Sequence, residues 1–401
     1  MGISDWALEL DERGYGDVSA YFVCTGCLTA EARTVFPAVL PKPDPCTFCE
    51  SPGPTMSLED FMAKFMHMVK LLHNDAAQEA LPHVDGQYLA KVWDGEEIAE
   101  MYSHLALAND ECRNAVRDAL AQGDKIWSYR GDLDPPDQAM SFAWTQLSNT
   151  VKHRQRYIFL SQEDGVRADD LSARQYLDQL DHIIHNNNST VRISAGTEIY
   201  RVRAYNGKRS FDLVASELGS TPDHLANPNR MSPSGISMFY GSERLETAIA
   251  ETAGPSTTAV AVGRWKTTKE LHLVDLTTDL PLSNLFVAAH GTPADLGRHF
   301  DASYLRDFSH AIAEPFDPNI SHIEYVPTQV VTEYLRFTRG GTYDGIRFPS
   351  AKDSQPNYVL FAGPLLCADR GAAHISTMLE LVEAHDEALT WSFTHASTSY
   401  S

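Results

Sequence analysis

The sequence has no long apolar run and few basic residues for its length. No uncharged apolar stretch of about 18 residues occurs, so a transmembrane helix and a membrane partner are not expected. The N-terminal segment is acidic and has no signal-peptide pattern, from which we predict a cytoplasmic protein. Against 54 Asp and Glu there are only 32 Lys and Arg, a formal net charge of −22. Nucleic acid is therefore not expected as a partner, because general nucleic-acid binding depends on a basic surface.

Cysteine is also scarce, with six residues in 401, which excludes a disulfide-dense scaffold. Four of the six form two CxxC pairs separated by 18 residues, a spacing typical of zinc sites. These four are Cys24, Cys27, Cys46 and Cys49. Four thiolates close a tetrahedral shell, so we predict a structural zinc site in a segment spanning 1–55. Two unrelated thiol pairs or a redox CxxC are the alternatives, and Cys112 and Cys367 are predicted core residues.

The next segment, 56–185, has helical hydrophobic periodicity and is predicted to be a helical domain. Ser57 and Asp60 resemble a capping box at the start of the first helix. A second helix is predicted for 110–122, a third after the Pro135–Pro136 pair and a fourth around 176–184.

Beyond a turn-prone boundary at 185–196, the pattern changes to mixed α and β. Strands are predicted at 197–205, 257–266, 270–276 and 357–361, and a helix is predicted at 327–336. We expect a domain over 196–370 and a C-terminal helix and tail over 371–401, with the helix at 375–393. The chain is thus predicted to be a multidomain α+β protein.

One stretch, 229–252, combines residues suited to ligand chemistry. An arginine precedes a short apolar run, and Gly241 and Ser242 are predicted to break that run and cap a helix beginning at Glu243. Glu251 lies near the end of that helix. An arginine and a carboxylate arranged in this way suit an anionic ligand that contains a sugar.

This stretch resembles the core of the RES domain, a family named for an arginine, a glutamate and a serine. Flanking motifs agree in order: IYRVRAY at 199–205 carries the arginine, YDGIRFPS at 343–350 the serine, and NYVLF at 357–361 a closing strand. The likeness covers 196–366. In addition, VKHRQRYIFL at 151–160 resembles the HEPN-like region that precedes some RES domains.

The resemblance implies a diphtheria-toxin-type ADP-ribosyltransferase fold, whose split β-core holds NAD in a cleft. It implies a toxin that consumes NAD as substrate, either a NAD glycohydrolase or a NAD phosphorylase that uses inorganic phosphate. Transfer of ADP-ribose to a protein is an alternative. The family likeness further implies an Xre-type antitoxin as partner and a homo-oligomer.

Residue roles follow from the motifs. Glu251 is expected beside the developing ribosyl cation, and Arg201 and Arg230 are expected to bind the pyrophosphate. The resemblance implies that the catalytic set is Arg201, Tyr240, Glu251 and Ser350, and that NAD contacts Tyr200, Arg201, Arg230, Tyr240 and Ser350. Ser350 is expected to position an oxygen, because no base is visible beside it. The family's Gly-Arg-Trp segment is Asn229-Arg230-Met231 here, without the tryptophan.

Two other classes of function stay open. A HEPN-type ribonuclease or RNA-binding module would use the basic cluster of Lys152, His153, Arg154 and Arg156, although the order of His and Arg differs from the HEPN pattern. A solvated or salt-bridging face is the simpler interpretation of that cluster. A non-catalytic partner module built on zinc is the other alternative.

Overall fold

The fold is described from a computed structural model of the chain. It describes residues 12–36, 44–52, 54–79, 81, 83–85, 87–130, 136–157, 171–277, 280, 282–314 and 317–389. These form two compact units, one from residues of 1–139 and 281–303 and the other from residues of 140–280 and 304–401. No described helix is long and apolar enough to cross a membrane.

The described helices and strands are numbered in chain order. The helices are α1 Leu58–Leu72, α2 Gly95–Ala106, α3 Asp110–Gln122, α4 Pro136–His153, α5 Ala173–Asn186, α6 Ala215–Leu218, α7 Leu245–Thr252, α8 Leu285–Ala289, α9 Pro293–Ala313, α10 Ser321–Glu324 and α11 Val326–Phe337. The strands are β1 Phe22–Cys24, β2 Thr55–Ser57, β3 His73–Asp75, β4 His83–Val84, β5 Gln87–Tyr88, β6 Val92–Trp93, β7 Trp127–Tyr129, β8 Thr190–Ile193, β9 Glu198–Tyr205, β10 Phe239–Ser242, β11 Ala259–Thr267, β12 Leu271–Asp275, β13 Gly345–Pro349, β14 Pro356–Leu360, β15 Cys367–Asp369 and β16 Leu379–Ala388.

The first unit is built on α1, α2 and α3. The Ser57 side chain accepts a hydrogen bond from the backbone N–H of Asp60, so the predicted cap at the start of α1 is present. The predicted α3 is also present. Helix α2, which begins with a capping box of Asp94 and Glu97, was not predicted. Apolar side chains of α1 fill the core, where the rings of Phe61 and Phe286 stack at 6.2 Å.

The second unit is built on a nine-stranded sheet with the order β15-β16-β11-β9-β10-β14-β13-β12-β8. Two neighbouring pairs, β15–β16 and β12–β13, are parallel, and the others are antiparallel. Side chains alternate between the faces, as the period of a strand requires. On β14, Val359 packs toward α4, α5, α9 and α11, while Tyr358 and Leu360 pack on the opposite face with Trp265. The helices predicted as one domain at 56–185 therefore contribute to both compact units.

The C-terminal helix predicted at 375–393 is wrong within the described residues. Leu379–Ala388 is a strand, β16, paired along its length with β11. Its buried residues Leu379 and Leu381 recur at period two, and a guanidinium of β11, Arg264, pairs with Glu383 at 2.6 Å. Pairing with a long central strand outweighs the helical propensity of the Glu and Ala residues here.

The turn predicted at Gly241 and Ser242 is also wrong, because both residues belong to β10. Gly241 is required for close approach, since a Cβ there would lie 2.5 Å from Cγ2 of Ile199. The hydroxyl of Ser242 donates to Oδ1 of Asn357 at 2.5 Å and caps no helix. Helix α7 begins at Leu245, two residues later than predicted.

Candidate active site

The nine-stranded sheet is split between β9 and β10. The two strands pair at one position, Tyr200 with Ser242. Beyond it, Nη1 of Arg201 donates to the carbonyl of Tyr240 at 2.7 Å, and the guanidinium lies 5.2 Å from the centroid of the Phe239 ring. Burial lowers the pKa of Arg201 from its ordinary value, but a guanidinium remains protonated at neutral pH. A fixed positive charge therefore lies at the split.

A cavity of about 490 Å³ opens at this split. Four of the predicted site residues line it, together with two that the sequence did not single out. The predicted residues are Arg201, Arg230, Tyr240 and Glu251, and the others are Tyr325 and Asn357. Arg201 and Glu251 thus face one cavity, as binding of a single dinucleotide requires. Its volume lies within the range of about 300–1,000 Å³ typical of small-molecule sites.

The carboxylate of Glu251 is held by two side chains from distant parts of the chain. Its Oε1 accepts from Oγ of Ser350 at 2.6 Å and from Nδ2 of Asn357 at 2.9 Å. Asn357 is buried, and its own Oδ1 accepts from Ser242, so its amide orientation is fixed as well. Because hydrogen bonds to an ionised acceptor are strong, this network aims the carboxylate into the cavity.

Ser350 lies at the end of β13 in a tight loop. Its Oγ accepts from the backbone N–H of Lys352 at 3.0 Å, and its backbone N–H donates to the carbonyl of Gln355 at 2.8 Å. The hydroxyl of Ser350 donates to Glu251. Ser354, in the same loop, has a positive φ of 59°, and its backbone N–H donates to the carbonyl of Ser350 at 3.0 Å. The geometry suits a positioning serine.

Tyr240 presents a neutral phenol near the site. Its hydroxyl lies 2.9 Å from Oγ of Ser232 and accepts from the backbone N–H of Met231 at 3.3 Å. Burial raises the pKa of Tyr240 to about 12. The phenol therefore stays protonated through the physiological range and serves as a hydrogen-bonding group.

Arg230 lines the cavity, but the C-terminal end of α9 holds its guanidinium. Nη2 donates to the carbonyl of Glu314 at 2.8 Å, and Nη1 donates to the carbonyl of Ile312. Burial lowers the pKa of Arg230, while Tyr325 and Glu251 act in the opposite sense. An arginine here satisfies carbonyls left over at a helix end and adds a second positive charge beside the cavity.

Tyr200 does not itself line the cavity. It packs against an apolar cluster that includes Val202 and Ala248, two residues that do line it. Its predicted role in binding NAD stays a prediction. Arg203, the neighbouring arginine, pairs with Glu217 at 2.7 Å on the surface.

Asn357 and Tyr325 are the site residues that sequence reasoning missed. Asn357 begins an apolar strand motif and is buried, so a polar residue at a core position was an available signal. Tyr325 lies two residues before the helix predicted at 327–336, outside every motif that the sequence analysis identified.

The four predicted zinc ligands converge in the first unit. All four Sγ atoms lie within 4.8 Å of one another, with Cys24–Cys27, Cys24–Cys49 and Cys27–Cys46 separations of 3.8, 3.5 and 3.7 Å. A tetrahedral shell with Zn–S bonds of about 2.3 Å places sulfurs roughly 3.8 Å apart, so the cluster fits zinc. Cys112 is buried as predicted, whereas Cys367 is only partly buried.

The basic cluster near the end of α4 is partly engaged in structural contacts. Nζ of Lys152 lies 2.5 Å from a carboxylate oxygen of Glu324, and Nε of Arg156 donates to the carbonyl of Val151 at 3.4 Å. These contacts favour the salt-bridging interpretation over an RNA site. The remainder of the HEPN-like motif, from 158 onward, lies outside the described residues.

Comparison with known proteins agrees with the motif assignment. The RES domain model matches residues 198–391, and the model of HEPN/RES N-terminal domain 1 matches residues 41–165. One chain of the crystal structure of the M. tuberculosis MbcT–MbcA toxin–antitoxin complex is 15% identical, with 53% of this chain and 94% of that chain covered and a TM-score of 0.27. No curated protein matches the chain. This chain therefore contains a RES domain at residues 198–391, preceded at residues 41–165 by a region that matches the HEPN/RES N-terminal domain.

Proposed function

We propose that the chain is a toxin-type enzyme that breaks the nicotinamide–ribose bond of NAD. One observation carries the proposal: Glu251, fixed by Ser350 at 2.6 Å, shares a cavity with Arg201 and Arg230. A carboxylate and two guanidinium groups complement a ribosyl cation and a diphosphate. Membership of the RES family supports the same substrate.

The proposed reaction follows from charge. The C–N bond breaks with its electron pair moving to the pyridinium nitrogen, so nicotinamide leaves as a neutral molecule and needs no general acid. The ribose carbon becomes oxocarbenium-like, as in glycoside cleavage, and the Glu251 carboxylate stabilises it. An acceptor oxygen then forms the new bond and loses its proton where the acceptor is water.

For the acceptor we propose phosphate in preference to water. A second cavity, of about 650 Å³, meets the first at a shared wall that includes Pro349 and Ala351, and Ser350 lines it. Arg306 and His310, four residues apart on α9, face it together with several hydroxyl groups, although Glu314 also lies at its edge. A cavity that holds an arginine and several hydroxyl groups, and that adjoins the cavity lined by Glu251, suits a small oxyanion.

The test is a nicotinamide-release assay on purified protein with NAD, in the presence and absence of phosphate. Phosphorolysis predicts faster release with phosphate and ADP-ribose-1″-phosphate as product. Arg306→Gln should weaken the phosphate dependence, whereas Arg336→Gln, on α11 and away from both cavities, should not. ADP-ribose as product at every phosphate concentration would reject phosphate as the acceptor, and no nicotinamide release under any condition would reject the function.

We also propose that the cysteine cluster holds a structural zinc ion. When bound there, zinc cross-links two chain segments and has no open coordination position for a substrate. The backbone already shapes both knuckles: the N–H of Leu28 donates to the carbonyl of Thr25, and that of Glu50 to the carbonyl of Cys46 at 2.9 Å. Metal analysis of the purified protein should give one zinc per chain.

From family membership we expect a protein antitoxin as partner, for which the direct test is co-purification with the product of a neighbouring reading frame. The domain boundaries predicted at 55, 185, 196 and 370, the diphtheria-toxin-type assignment and the homo-oligomeric state stay predictions.

A further inference from the structure

The cavity at the split is lined by both polar and apolar side chains. Tyr325 is half-buried, and Leu225 is 59% exposed, a high exposure for a leucine. Among the other aromatic side chains of the wall, Phe348 and Tyr358 are buried, and Tyr240 is half-buried with its hydroxyl within hydrogen-bond distance of Ser232. Tyr325 and Leu225 therefore offer accessible apolar surface on which a planar group could rest.

Tyr325 is held rigidly by its backbone. It lies at the junction of α10 and α11, with φ −75° and ψ −19°. Its N–H donates to the carbonyl of Ser321 at 2.9 Å, and its carbonyl accepts from the N–H of Gln329 at 3.0 Å and lies 2.9 Å from the hydroxyl of Thr328. The backbone that carries the ring is therefore held by hydrogen bonds to α10 and α11.

The first turn of α11 also fixes the segment that carries Arg230. The hydroxyl of Thr328 donates to the carbonyl of Arg230, and Nε2 of Gln329 donates to the carbonyl of Asn229 at 2.8 Å and lies 3.2 Å from that of Ser232. Thr328 and Gln329 are buried, so this polar contact is a permanent part of the core. One helical turn thus sets the spacing between a guanidinium and an aromatic ring.

We propose that Tyr325, on the wall of the cavity that Leu225 also lines, is the stacking surface for one base of the dinucleotide, an inference that rests on the proposed function. A base and its nearest phosphate are joined through one ribose, so a ring and a cation held in fixed relation match that unit. The Arg230 guanidinium lies 6.0 Å from the centroid of the Tyr325 ring, which places charge and aromatic surface within one nucleotide's reach. Stacking on an aromatic side chain binds any heteroaromatic base.

The experiment compares Tyr325→Leu and Tyr325→Phe with the wild type in the nicotinamide-release assay. Loss of one base stack should raise the KM for NAD about tenfold in Tyr325→Leu, with kcat little changed, while Tyr325→Phe keeps the wild-type KM. Tyr334→Leu, on α11 and away from the cavity, is the matched control. An unchanged KM in Tyr325→Leu would overturn the inference.

A second measurement separates this inference from the proposed function. Binding of NAD is measured in a Glu251→Gln background, with and without Tyr325→Leu, where turnover does not interfere. If NAD binds and the wild type releases nicotinamide, but Tyr325→Leu leaves the Kd unchanged, only the inference fails. If the wild type releases no nicotinamide, the proposed function fails. Repeating the comparison with nicotinamide mononucleotide identifies the base: a loss of the Tyr325→Leu effect assigns adenine, and its persistence assigns nicotinamide, each in support of stacking.

Discussion

The cysteine cluster and the cavity at the split sheet bring reactive groups together in opposite ways. The four thiols come from within 26 residues of sequence, Cys24 to Cys49, and their sulfurs lie within 4.8 Å of one another. The cavity draws Arg201, Glu251 and Asn357 from β9, α7 and β14 and leaves an open space of about 490 Å³ between them. A closed set of ligands supports folding, whereas an open one leaves room for substrate.

The largest effect on activity is expected from a change at the Glu251 carboxylate. Glu251→Gln keeps the size of the side chain but removes the negative charge that faces the ribosyl cation. We expect kcat for NAD cleavage to fall about 10²–10³-fold with little change in Tm. Glu246→Gln, an exposed position on the same helix, should keep wild-type kcat. Equal activity of both variants would remove the catalytic role from Glu251.

The cysteine cluster should respond in stability. Cys27→Ser removes one of four zinc ligands in a buried shell, so we expect the variant to lose bound zinc and to unfold at a lower temperature. Cys367→Ser, outside the cluster, should keep its zinc. A chelator should lower the Tm of the wild type and leave Cys27→Ser unchanged. Retention of one zinc per chain by Cys27→Ser would contradict the four-thiolate site.

A smaller effect is expected from the amide that orients the carboxylate. Asn357→Ala removes the 2.9 Å hydrogen bond to Glu251, and a bond to a charged group contributes about 1.5–3 kcal/mol. We expect kcat to fall roughly 10–100-fold. Asn206→Ala is the control, because the amide oxygen of Asn206 accepts a hydrogen bond from the backbone N–H of Thr258 at the surface. Wild-type kcat in Asn357→Ala would show that the network does not position Glu251.

The smallest effect concerns alkaline pH. Because burial raises the pKa of Tyr240 to about 12, the unfolded chain releases this proton near pH 10, before the folded one does. The free energy of unfolding should therefore fall as pH rises from about 10 to 12. Tyr240→Phe should reduce that slope by about one proton, measured by denaturant unfolding at several pH values. Identical slopes in the two proteins would show that Tyr240 does not carry the shift.

The sequence predicted the parts of the structure that local patterns determine. The CxxC pairs, α1 and α3 were recognisable because spacing or periodicity encodes them. Arg201 and Glu251 were recognisable because their motifs resemble those of the RES domain. The predictions for Gly241 and for the C-terminal segment were wrong because contacts with residues far along the chain determine both structures. The close approach of Ile199 requires a glycine at 241, and pairing with β11 makes the C-terminal segment a strand. Tyr325 and Asn357 were missed for the same reason, since tertiary packing alone brings them to the cavity.

The single pair of residues joining β9 to β10 has a consequence for motion. Where neighbouring strands share few ladder hydrogen bonds, a sheet opens locally at low free energy. Here the guanidinium of Arg201 donates a hydrogen bond to the Tyr240 carbonyl, in place of a backbone hydrogen bond between β9 and β10. A diphosphate that attracts this guanidinium would compete for the same donor. We therefore expect occupancy of the cleft and the separation of β9 from β10 to be coupled, so that amide exchange along β10 changes when NAD binds.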